Sequence, residues 1–139
     1  MDASLIERSL EIAAAHGDVT ARVYARLFVV HPEMEALFVR DTNGAVKGEM
    51  LARVFEMILD FIDRGAYGAR MIQCEVITHE GYGVPPEIFS LFFTTLADTL
   101  QDLLGPDWDA ATDEAWDAMI TRMHWFTTHP DQTVGHRLA

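Results

Sequence analysis

Apolar residues recur at intervals of three and four along almost the whole chain, the spacing of helices packed on one face. Ser4 followed by Glu7 has the form of a capping box and predicts a first helix running to about Gly17. Asp18 is placed to cap a second helix, whose stripe is Val19, Val23, Leu27 and Val30. His31-Pro32 ends it, because a residue before proline is pushed out of helical backbone. The proline suits the first turn of a short helix through Glu33, Met34 and Leu37 to Phe38. Asp41-Thr42-Asn43-Gly44 is turn chemistry. After it, Met50, Leu51, Val54, Phe55, Ile58, Phe61 and Ile62 form the wide apolar face of a helix from Val46 to Arg64, stopped at Gly65.

A shorter helix is expected from about Ala69 to Glu80, with Ile72, Val76 and His79 on one stripe, broken by Gly81, Gly83 and Pro85-Pro86. The next spans about Pro86 to Leu104 on Ile88, Leu91, Phe92, Leu96, Leu100 and Leu103. Gly105-Pro106 closes it, a last helix carries Trp116, Met119, Ile120 and Met123, and beyond Pro130 the sequence is polar. The pattern predicts seven helical segments and no strand of period two. Helices of such unequal length give an all-α domain unlike a four-helix bundle of matched ones.

With 139 residues, the chain is expected to form a single domain over 1–139, with a polar tail from about 130. A formal charge of −12, from 10 basic and 22 acidic side chains, repels phosphate backbones and anionic lipid. Nucleic acid and membrane surfaces are therefore poor partners. No apolar run approaches the length of a bilayer span, and the acidic, amphipathic N-terminus is unlike a signal peptide. These features point to the cytoplasm. The single cysteine, Cys74, excludes an internal disulfide, a CxxC zinc pair and a CxxCH attachment site. Walker, GxGxxG, HExxH and GxSxG motifs are absent.

The remaining chemistry lies in histidines and aromatics. His16 and His31 sit at helix ends, while His129 and His136 lie in or beside the tail, where solvated or capping roles suit them. His124, one turn from Ile120, reads as a satisfied core or surface histidine. His79 differs, because it shares a stripe with Ile72 and Val76 and precedes a glycine-rich corner and an apolar helix. A single imidazole in an apolar pocket is what a haem iron takes on one side. From spacing alone, the commoner reading of such a histidine is a helix C-terminal residue that offsets the dipole. Tyr24 lies one residue off the second helix's stripe, where a tyrosine ordinarily packs at the core edge with its hydroxyl reaching water or a carbonyl.

In combination these residues carry a resemblance. The stretch TARVYARLFVVHPEMEALF resembles the second and third helices of bacterial globins, above all single-domain haemoglobins and the globin domain of flavohaemoglobins. Its landmarks are Tyr24, Leu27-Phe28, His31-Pro32-Glu33-Met34 and Phe38. KGEMLARVFEMI, from Lys47 to Ile58, is similar to the distal helix. THEGYGVPPEIFSLFFTTLADTLQDLL is similar to the proximal histidine, its corner and the following helix, and EAWDAMI to the start of the last helix. The resemblance covers about residues 5 to 127.

It implies a globin fold around a pocket for haem b. His79 would be the iron ligand, Phe38 would stack on the porphyrin, and Val84 and Phe92 would pack on it from the proximal side. Tyr24 would offer its hydroxyl to a bound O2, CO or NO. Lys47 would be the distal gate, and Leu51, one turn on, would roof the pocket. The implied function is reversible binding of O2 or another diatomic gas, for storage or delivery, with nitric oxide detoxification as a second role. No flavin or nicotinamide domain follows the globin-like stretch, so any turnover is expected to draw on a separate reductase. The chain departs from flavohaemoglobins where that family sets a tyrosine and a glutamate behind the proximal histidine. Those positions read Phe89 and a site near Asp131, while Glu75, four residues before His79, is an alternative carboxylate. The competing reading is a haem-free globin-fold module for regulation or protein interaction, suggested by Lys47 and the acidity.

Overall fold

The computed structural model describes residues 2–63 and 66–131, and among them the chain is helical without strands. The order is α1 (Ala3–Ala15), α2 (Thr20–Val30), a 3₁₀ segment (Pro32–Phe38), α3 (Ala45–Asp63), α4 (Ala66–Gly81), α5 (Pro86–Leu104), a 3₁₀ turn (Gly105–Asp107) and α6 (Ala110–Thr128). The expected stop at Gly65 and the polar tail beyond residue 131, including His136, lie outside the described residues.

Several ends are set by side chains differing slightly from expectation. Asp2, rather than Ser4, caps α1 by accepting a hydrogen bond from the Ser4 N–H at 3.1 Å. Asp18 does the same for Thr20 at 2.9 Å. The turn before α3 anchors that helix twice. Asp41 accepts from the backbone N–H groups of Val46 and Lys47, both at 3.0 Å, and Asn43 accepts from Ala45 at 3.1 Å. The segment after His31 is 3₁₀ rather than α-helical. Val30, assigned to the inner stripe of α2, is exposed; the buried face consists of Val23, Tyr24 and Leu27.

α3 lies along α4, α2 packs on α5, and α6 closes the other side against α1, α4 and α5. Their shared core includes Ile6, Ile58, Ile72, Leu96, Trp116 and Phe126. α4 starts three residues before its expected position, because Gly68 lies inside the helix rather than ahead of it. The reason is close approach. A Cβ at Gly68 would sit 2.6 Å from the Met57 carbonyl oxygen and 2.9 Å from the Phe61 nitrogen, and backbone atoms cannot swing aside. Gly68→Ala gains about 1 kcal/mol in helix propensity. The clash outweighs this, and a net loss of about 1–3 kcal/mol is expected in urea unfolding. Unchanged or increased stability would mean that α3 and α4 stand further apart than this.

Candidate functional site

Helices α2, α3, α4 and α5 wall an apolar cleft that opens to solvent. α2 and the 3₁₀ segment contribute Tyr24, Leu27, Met34, Leu37 and Phe38. α3 contributes Met50, Arg53, Val54 and Met57. Glu75 and His79 come from α4 and Val84 from the corner, while Ile88, Phe89, Phe92 and Phe93 face them from α5.

His79 owes its place to the end of α4. Its carbonyl accepts the N–H groups of Tyr82 at 3.0 Å and Val84 at 2.9 Å. Gly83, at φ 91°, lets the chain reverse toward Pro85 and α5. The His79 ring packs at 5.0 Å on that of Phe89. Its Nδ1 lies 2.8 Å from the Glu75 carbonyl oxygen, which can only accept, so Nδ1 carries the proton. The lone pair is then on Nε2, to which no described residue is bonded. This is how a ligating imidazole is prepared: one nitrogen held by the protein, the other free for a metal.

Tyr24 is 2% exposed, and its ring packs against Phe38 at 5.3 Å and Phe92 at 5.5 Å. Its hydroxyl is buried with no hydrogen-bond partner among the described residues. Burial, helped by the Asp41 charge, pushes the phenol far above its ordinary value near 10, so it remains a neutral donor. Leaving a buried hydroxyl unpaired costs about 1–3 kcal/mol. In the ligand-free protein, Tyr24→Phe is therefore expected to raise stability by about 1 kcal/mol in urea unfolding. A loss of that size would mean that the hydroxyl has found a partner.

Of the residues implied by the resemblance, Tyr24, Phe38, His79, Val84 and Phe92 line this one cleft, and Lys47 and Leu51 do not. Leu51 is 2% exposed and faces the core. Lys47 reaches over the Phe38 ring, its Nζ 5.9 Å from the ring centre. The cleft-facing stripe of α3 is Met50, Val54 and Met57, which puts Met50 and Val54 three residues beyond Lys47 and Leu51. Leu51 and Val54 are equally apolar, so the apolar pattern alone does not decide which of them faces the cleft. Arg53 went unnoticed because an arginine in an apolar stripe reads as solvated surface. His124 is engaged elsewhere, its Nε2 3.2 Å from the Ser90 carbonyl, and Asp131 is exposed.

An imidazole and a buried phenol without a hydrogen-bond partner among the described residues thus share one apolar cleft of a helical protein. The globin family model matches residues 21–128, and the chain belongs to that family. Globins characteristically hold haem and bind small gases. No curated protein and no solved structure matches the chain. Among the described residues, no helix is long and apolar enough to cross a membrane, and no cluster of three or more His, Cys, Asp or Glu could hold a bare metal ion. A porphyrin iron needs only one protein ligand, so the latter finding does not conflict with the site.

Proposed function

We propose that the cleft binds haem b through His79 and that the protein reversibly binds O2 or another diatomic gas beside Tyr24. The observation that carries this reading is the Tyr24 hydroxyl, buried and unpartnered in the cleft that also holds His79. A polar group kept in such a place at a cost to stability is understandable if a ligand completes it. Phe38, Phe92 and Val84 supply apolar surface for the porphyrin.

His79 would hold the haem, which would supply an iron centre able to coordinate a diatomic gas. The chain's own contribution is to fix the His79 ring, exclude water and hold one proton on the Tyr24 oxygen for donation. Binding for storage or delivery needs nothing further. Removal of nitric oxide would need electrons from a reductase. Cycling the reduced, haem-loaded protein between argon and O2 tests the reading: the two spectra are expected to interconvert over repeated cycles. Immediate conversion to the ferric form on first exposure to O2 would contradict it.

A further inference from the structure

α4 is apolar on two sides. Ile72 and Val76 are buried, as packing on the core requires, yet Tyr67 and Ile77 are 59% and 57% exposed on the other side. A helix that is apolar all round ordinarily has a partner on each side. Tyr67, Arg70, Cys74, Ile77 and Gly81 are all exposed, and their steps of three and four residues set them on one line along α4. That is the spacing of a seam between two paired helices. The line runs along the side of α4 away from His79, which lines the cleft. We propose that this face of α4 docks a second copy of the chain, the two helices antiparallel about a two-fold axis between Cys74 and Ile77.

The face is complementary to itself, as a two-fold interface must be. An antiparallel pair centred there sets Cys74 of each copy against Ile77 of the other, and Arg70 against Gly81 and Glu80. Gly81 leaves room for the arginine stem, because nothing lies within 4 Å of where a Cβ would stand. Glu80, exposed beside it, then meets the guanidinium, and the contact occurs twice. Arg70 donates to Gln73 of its own helix at 3.1 Å, which uses one of its five N–H groups. Charge also selects this face. At −12 per chain, two copies repel each other in most orientations. The exposed residues of α4 carry only Arg70 and Glu80, which cancel. Tyr82, 76% exposed beyond Gly81, extends the apolar area. With 16 residues α4 is about 24 Å long, so one helix face on another makes a small interface. A dimer that forms at about 10–100 μM chain and dissociates on dilution is expected.

Sedimentation velocity on the full chain, from about 2 to 500 μM, reads the association directly. Ile77→Glu sets two like charges near the centre of the seam and is expected to weaken the dimer by more than about 100-fold. Arg70→Glu and Glu80→Arg each turn both charged contacts repulsive, and each alone should weaken it by about tenfold. An equimolar mixture of those two variants makes every contact between unlike chains attractive again. The mixture is therefore expected to associate about as tightly as the wild type, which a mere loss of packing in either variant would not produce. A wild-type chain that stays monomeric throughout overturns the proposal and leaves the face to a different partner. So does a dimer that survives Ile77→Glu, or a mixture no tighter than its two components. If Ile77→Glu does not fold, the mixture decides alone. Haem plays no part in the contact, so each outcome stands whether or not the cleft binds it.

Discussion

Replacing His79 with alanine is expected to weaken haem binding by more than about 100-fold, because losing even an outer hydrogen-bond partner of a ligating histidine costs about 10–100-fold. Among the other described histidines, His16 is exposed at the end of α1, away from the cleft lining, and the remaining three have partners. His124 bonds the Ser90 carbonyl, His129 that of Trp125 at 2.8 Å, and His31 pairs with Glu33 at 3.0 Å. His124→Ala is therefore the control, and its spectrum should stay that of the wild type. Imidazole added to His79→Ala should restore the five-coordinate reduced spectrum by filling the space left beside Phe89. A wild-type spectrum in His79→Ala, with the band lost in His124→Ala, would reassign the ligand.

The second large effect belongs to Tyr24. A ligand that gains partial negative charge in the pocket, as O2 does and CO scarcely does, accepts a hydrogen bond from a neutral phenol. Such a bond to a charged acceptor contributes roughly 1.5–3 kcal/mol. Tyr24→Phe keeps the ring and its contacts with Phe38 and Phe92, and removes only the donor. O2 dissociation should then accelerate by about 10- to 150-fold, at a factor of ten per 1.4 kcal/mol. CO dissociation, measured by stopped flow on the same two proteins, should change far less. Equal small changes for both gases would place the hydroxyl away from the ligand. The same substitution is expected to stabilise the ligand-free chain, so stability and oxygen retention oppose each other at this residue.

Helix count and order were legible because the apolar stripes and their proline and glycine stops agree along the chain. His79 and Tyr24 were legible as candidates only through their joint spacing with Phe38. Neither periodicity nor chemistry separates a buried histidine from an ordinary helix-end one. Three features depend on tertiary placement and were not legible. Gly68 breaks the pattern of α4 in sequence, yet packs within it against Met57 and Phe61. On α3, Leu51 and Val54 are equally apolar, and only the way α3 sits against α4 and the core turns one inward and the other to the cleft. The Arg53–Glu75 ion pair joins two helices through residues 22 apart in sequence, a pairing that no local pattern encodes.

Titration of the purified chain with haemin, followed by its visible absorption, tests the central claim most directly. The account predicts a sharp Soret band that saturates at one haem per chain in the wild type and is lost in His79→Ala. A wild-type protein that folds with the same helical content yet gives no more than the broad spectrum of free haemin would contradict it and favour a haem-free globin-fold module.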